Sequence, residues 1–187
     1  MKFQLPWASG PDPEAALTLG ALDAKFRGTW AWEQPARFRA RWRLTCDGSP
    51  VATLATHSPF VAPARARFAD AAWEMRLRFP SQTLVTRVGD AEPWGRFREG
   101  LLGGGQLTRA HEPTLRWQRD GFWGRSWSFT TADQMPLLRF RSHHTFLRQG
   151  ATVELEDAAR RMPDLPALLA LGWLLVLQAH RGHAGRY

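Results

Sequence analysis

The chain has 187 residues, 44% of them hydrophobic and ten of them tryptophan, which excludes a disordered protein and suffices for a substantial core in one long domain. Its net charge is +8, and because Lys2 and Lys25 are the only lysines the cations are almost all arginine, a side chain suited to planar, bidentate contacts with phosphate and carboxylate. The single cysteine, Cys46, excludes an internal disulfide, and Met1 to Gly10 lacks an apolar signal segment, so the expected compartment is the cytoplasm.

Residues 1–24 read as a loosely ordered lead-in broken by Pro6, Pro11 and Pro13, residues 25–181 as one domain, and residues 182–187 as a short basic tail. Phe26 to Trp32 is a first strand. In Arg37-Phe38-Arg39-Ala40-Arg41-Trp42-Arg43-Leu44 every odd position is arginine and every even one apolar, the period of a half-buried strand. Asp47-Gly48 turns the chain and Val51 to Thr56 returns. Phe60 to Ala69, with two prolines, begins irregularly. Trp73, Met75, Leu77 and Phe79 alternate with Glu74, Arg76 and Arg78, Pro80 ends that strand, and Thr83 to Val88 comes back to a reversal at Gly89-Asp90.

Arg96 to Arg98 and Gln106 to Ala110 are shorter strands flanking Gly103-Gly104-Gly105. Thr114 to Thr130 reads as a hairpin turning at Asp120-Gly121, with Trp123, Trp127 and Phe129 on its return strand. This second strand, Asp-Gly, strand unit hints at two related halves. Leu137 to Ser142, Thr145 to Leu147 and Val153 to Leu155 follow as strands.

From Leu165 to Ala179 only Gln178 is polar, so a helix here needs apolar surroundings on every side. Asp164 serves as its N-cap, Pro166 falls in the first turn, and Gly182 is its expected stop. From Leu165 to Arg181 the helix is roughly 25 Å long at 1.5 Å per residue, short of a bilayer core of roughly 30 Å. Arginines flank it on both sides, which keeps a tail anchor inserted at 165–179 as an alternative to a buried core helix.

Roughly ten short strands before one wholly apolar helix leave an open sheet with exposed edges, and closure removes them. The expected fold is mainly β: a closed antiparallel barrel of roughly 10–12 strands with the hydrophobic C-terminal helix, residues 164–181, running through its centre. The two Asp-Gly units, together with Val153-Glu154-Leu155-Glu156-Asp157 running into the apolar helix, resemble the tubby-like barrels, a superfamily that includes the phospholipid scramblases. That resemblance implies binding of phosphoinositide headgroups or association with membranes, and it supplies no catalytic motif.

Chemical motifs are scarce. Gly103-Gly104-Gly105-Gln106 lacks the Lys-Ser/Thr of a phosphate loop, and Gly124-Arg125-Ser126-Trp127-Ser128 lacks the second glycine of a nucleophile elbow. His143-His144 and the pair His180 and His183 lack the cysteines or carboxylates of a metal site, and Glu154, Glu156 and Asp157 read as solvated ion pairs beside Arg160 and Arg161. No cofactor and no enzymatic activity are expected.

What remains is the arginine face: Arg37, Arg39, Arg41 and Arg43 on one strand, Arg76 and Arg78 on another. Its plain reading is a solvated, partly salt-bridged outer wall. Its functional reading is a binding or scaffold barrel, peripheral at the inner membrane surface, that offers these arginines to anionic phospholipid headgroups. A protein partner and a nucleic-acid backbone are the alternatives, the second disfavoured because the aromatics alternate with the arginines and so point inward.

Overall fold

The structure is a computed structural model describing residues 20, 22, 27–35, 40–56, 63–78, 81–100, 104–110, 112–121, 125–145 and 148–184, with the backbone alone at 144, 145, 148 and 181–184. Among these residues the first strands are β1 (Trp30–Glu33), β2 (Arg41–Cys46), β3 (Ser49–Ala55), β4 (Ala64–Phe68), β5 (Ala72–Arg78) and β6 (Gln82–Arg87). They continue with β7 (Gly95–Glu99), β8 (Gly105–Arg109), β9 (Glu112–Asp120), β10 (Ser126–Thr130), β11 (Pro136–Thr145) and β12 (Arg148–Leu155), then the helices α1 (Asp157–Arg160) and α2 (Leu165–Ala184).

Every strand pairs antiparallel with its sequence neighbour, and β1 closes the ring on β12 with Trp30 opposite Val153 and Glu33 opposite Gly150. A Cβ at position 150 would lie 2.8 Å from the Trp32 carbonyl oxygen, so glycine is what lets the seam close. The barrel is the expected one, with twelve strands around the helix.

Period-2 patterning sets which side chains go inside. On β2, Trp42 and Leu44 are buried while Arg41 and Arg43 lie outward, and on β5, Trp73 and Met75 are buried while Glu74, Arg76 and Arg78 lie outward. Leu77 departs from the expected inward set at 37% exposure. The β4–β5 ladder ends at Ala64 opposite Met75, which leaves Leu77 beyond it at the rim. Phe79 and the lead-in 1–24, apart from Gly20 and Leu22, lie outside the described residues.

The turn at Asp47-Gly48 has the two positive φ angles, 47° and 80°, that an Asp-Gly pair tolerates. Its Asp47 Oδ1 also accepts the Thr29 N–H at 2.8 Å. The second Asp-Gly unit is built differently. Asp120 is the last residue of β9 and pairs with Ser126, so the connection runs over residues 121–125 rather than through a two-residue turn. The match between halves therefore does not extend to their turns, and Trp123 lies outside the described residues.

Within Phe60 to Ala69, expected only to begin irregularly, residues 60–62 lie outside the described residues and residues 64–68 form β4. Two further boundaries differ from expectation. Leu137 to Ser142 and Thr145 belong to one ten-residue strand, β11, because cross-strand pairing to β12 continues from Leu138 opposite Leu155 to Thr145 opposite Arg148. Finally, α2 runs through Gly182 to Ala184, since one helical glycine costs only about 1 kcal/mol against alanine.

The helix α2 fills the barrel. Ala167 to Leu171, Trp173 and Val176 are all fully buried, so no face of the helix meets solvent there. Trp173 stacks on Trp32 of β1 with ring centroids 6.2 Å apart and meets Trp42 of β2 edge-on at 6.3 Å. From β11 and β10, two and three strands further round the ring from β1, the Phe140 and Phe129 rings press on Gly172, where no side chain stands in their way. No helix among the described residues is long and apolar enough to cross a membrane.

Both ends of α2 are pinned by polar contacts. The Asp164 carbonyl accepts the Leu168 N–H at 3.2 Å, which makes Asp164 the expected N-terminal boundary, but its side chain turns away to meet Arg109 Nη1 at 2.6 Å. Arg109 also meets Glu112 at 2.5 Å and donates to the Pro113 carbonyl at 2.9 Å. At the far end, His180 Nε2 lies 3.2 Å from Ser142 Oγ, which donates to the Arg125 carbonyl at 3.0 Å.

Candidate anion-binding site

Of the six arginines singled out from sequence, Arg37 and Arg39 lie outside the described residues. Arg41 and Arg43 are half-buried on β2, and Arg76 and Arg78 are exposed on β5. Strands β3 and β4 separate the two pairs, so about 14 Å of sheet lies between them at 4.8 Å per strand. They do not form one cluster.

Strand β4 supplies the side chain that links to β5. Arg65 lies opposite Glu74 and its Nη2 is 3.1 Å from Glu74 Oε2, while Arg76 Nη2 is 2.7 Å from Glu74 Oε1. The hydrogen bond from Arg76, opposed by partial burial and reinforced by Arg65, holds the Glu74 carboxyl below its ordinary value. A depressed carboxylate contributes stability that is present above its unfolded-state pKa and is lost as pH falls through the lower folded-state value. Glu74→Gln should therefore lower stability at pH 7 and flatten the acid side of the stability-against-pH curve, the two proteins converging below pH ~4. Thermal melts of both proteins from neutral pH to pH ~3 test this, and parallel curves would refute it.

Pairing register arranges the arginines beyond β5 in two diagonal rows. One runs Arg78, Gln82, Arg98, Gln106, Arg116 across β5 to β9, each residue directly opposite the next. The other runs Arg76, Leu84, Arg96, Thr108. Arginines thus recur about 10 Å apart across the sheet, every second strand, and about 7 Å apart along a strand. The outward positions between them, Gln82, Leu84, Thr86, Gln106, Thr108 and Gln118, carry no charge. Arg78, Arg96, Arg98 and Arg116 make no ion pair with any described residue.

The wall from β9 to β12 is different. There Asp120, Arg139, Glu154 and Arg141 form a chain of ion pairs, with Arg139 to Asp120 at 3.3 Å, Arg139 to Glu154 at 3.5 Å and Arg141 to Glu154 at 2.9 Å. Arg139 and Arg141 are thus paired with acids, whereas Arg78, Arg96, Arg98 and Arg116 are not.

Beside the arginine rows lies a groove of about 400 Å³. Its floor is the outer face of β5 and β6, with Glu74, Arg76, Arg78, Leu84 and Thr86, and its wall is the connection to β7, from Arg87 to Ala91 and Pro93. Arg96, Arg98, Arg116 and Arg87 were not singled out from sequence. Arg96-Phe97-Arg98 and Leu115-Arg116-Trp117 carry the same alternation as the first arginine strand, but which rows they join depends on the order of strands around the barrel.

No family model, curated protein or solved structure matches this chain. The site is therefore read from its own chemistry. Cys46 is buried at the C-terminal end of β2, and burial together with the neighbouring Asp47 carboxylate raises its thiol pKa against a smaller lowering by Arg160. The reactive thiolate is disfavoured there. No group of three or more His, Cys, Asp or Glu among the described residues could hold a metal ion.

Proposed function

We propose that this protein is a non-enzymatic binding barrel of the tubby-like and scramblase-like kind, which docks peripherally on anionic phospholipid headgroups at the cytoplasmic face of a membrane. The observation that carries the reading is the set of arginine rows across β5 to β9, in which Arg78, Arg96, Arg98 and Arg116 make no ion pair with any described residue, against the ion-paired Arg139 and Arg141 of β11. A two-dimensional array of guanidinium groups suits a surface that itself presents anions in two dimensions. The strand aromatics Trp73, Phe97 and Trp117 lie inside the barrel, which removes them as stacking platforms for bases.

Each basic side chain close to an anionic leaflet contributes about 1 kcal/mol, so R96Q/R98Q/R116Q should weaken binding to phosphatidylserine-containing vesicles roughly a hundredfold. Binding should also fall with added salt, and R139Q/R141Q should leave it nearly unchanged. Co-sedimentation with neutral and anionic liposomes measures all three. Equal binding to both vesicle types, or binding by the triple variant equal to that of the parent, would sink the proposal. Binding to single-stranded nucleic acid with none to vesicles would replace lipid by a phosphate backbone as the partner.

A further inference from the structure

We propose that the groove between the β5–β6 face and the β6–β7 connection, which shares Arg76 and Arg78 with the arginine rows, is a binding site for a small amphipathic monocarboxylate, an acid carried on a compact apolar body. The inference goes beyond the membrane-docking reading and does not depend on it. Its volume, about 400 Å³, falls in the range of small-molecule sites.

The groove's wall is held in place before any ligand arrives. Gly89, at φ 102°, takes a left-handed turn closed by the Asp90 N–H on the Arg87 carbonyl at 3.0 Å, and the Val88 N–H bonds the Ala72 carbonyl at 2.8 Å. Just beyond Pro93, Trp94 packs edge-on against the buried Trp73 at 5.6 Å, which ties the far end of the connection to the core. A preformed wall spares a ligand the cost of ordering it.

The lining has two chemistries. Leu84, Val88, Ala91 and Pro93 present apolar surface, and Val88 is 58% exposed although it is a large hydrophobic residue. Arg76, Arg78 and Arg87 supply the cations. Glu74 does not compete for Arg78 and Arg87, because Arg65 and Arg76 already engage both of its oxygens. Arg78 and Arg87 line the groove and make no ion pair with any described residue. Three arginines against Glu74 and Asp90 leave the lining one positive charge in excess, which matches a monoanion better than a phosphate dianion. Guanidinium geometry favours a carboxylate held bidentately, with the apolar body lying on Leu84, Val88, Ala91 and Pro93.

The test follows the backbone amides of Val88, Gly89, Asp90 and Ala91 by two-dimensional ¹H–¹⁵N NMR while full-length protein is titrated with sodium octanoate, sodium acetate or octanol. Octanoate should shift these amides saturably, and acetate, without the apolar body, and octanol, without the charge, should each bind about tenfold more weakly or worse. R78Q/R87Q should weaken octanoate about tenfold or more while keeping the parent's spectrum elsewhere. Ala91→Trp, which fills the groove from its solvent side, should abolish octanoate binding and leave co-sedimentation with anionic vesicles intact. The inference is overturned if octanoate leaves the four amides unmoved, if acetate or octanol binds as well as octanoate, or if R78Q/R87Q binds as the parent does. It is also overturned if only phosphatidylserine vesicles move these amides, an outcome that would leave the arginine wall as the sole site.

Discussion

Trp173→Ala is expected to destabilise the protein by about 3–5 kcal/mol, the cost of truncating a large aromatic in a close-packed core. Trp173 is fully buried at the middle of α2, stacked on Trp32 and edge-on to Trp42, and both of those rings are themselves buried. Neither neighbour can move into the vacated space without leaving its own place in β1 or β2, so the cavity cannot collapse readily. Urea unfolding of the purified variant measures the loss. A change below about 1 kcal/mol would mean that the barrel does not depend on the centre of the helix for its packing.

The second large effect is asymmetric. Arg109 and Asp164 form a pair with side chains 3% and 7% exposed, and breaking a buried pair costs about 3–5 kcal/mol. Arg109→Met should lie at the upper end of that range, because Asp164 Oδ1 has no hydrogen-bond partner among the described residues and Arg109 is the cation that holds Oδ2. Asp164→Ala should cost less, because Glu112 and the Pro113 carbonyl still serve the Arg109 guanidinium. The double variant R109M/D164A should recover much of the loss, since no charge is then left buried without a partner. Denaturant midpoints of the three variants and the parent form a double-mutant cycle. Additive losses, or D164A costing more than R109M, would contradict this account.

The barrel was legible in the sequence because two periodicities are strong and do not overlap. Arg41-Trp42-Arg43-Leu44 and Trp73-Glu74-Met75-Arg76 alternate with period two, and Leu165 to Leu177 carries no polar side chain. An all-apolar helix beside many amphipathic strands has few places to go. What alternation could not supply was adjacency. It shows that Arg76, Arg96 and Arg116 point outward, but only the register across β5 to β9 places them in rows beside uncharged Gln82, Gln106 and Thr108. Equally hidden was the Arg109 side chain, at the inward end of β8 and 55 residues from Asp164. Arginine in a strand reads as an outward residue, and nothing local to Leu107-Thr108-Arg109 marks it as a buried partner.

Turn chemistry gave mixed returns for a related reason. Asp47-Gly48 closes β2 and β3 with two positive φ angles. At Asp120-Gly121 the aspartate is needed elsewhere: its carboxylate accepts from Ser128 Oγ at 2.9 Å and from Arg139 Nε at 3.3 Å, inside the ion-paired wall. The same dipeptide makes a tight turn at Asp47-Gly48, where both residues take positive φ, and a longer connection at Asp120-Gly121, where Asp120 is still paired in the sheet with Ser126.

The seam between β1 and β12 joins Trp30 to Val153, and the segment that fills the ring, Leu165–Ala184, is later still in the chain. During synthesis, β1 waits on the order of ten seconds for its partner at ribosomal rates of about 5–20 residues per second. Until then the inner faces of β2 to β11 have neither lid nor filling, and Trp42, Trp73, Trp117 and Trp127 stand exposed to any passing apolar surface. A nascent barrel of this kind is a client for chaperones up to its last helix, and its refolding from denaturant should be slow and sensitive to protein concentration.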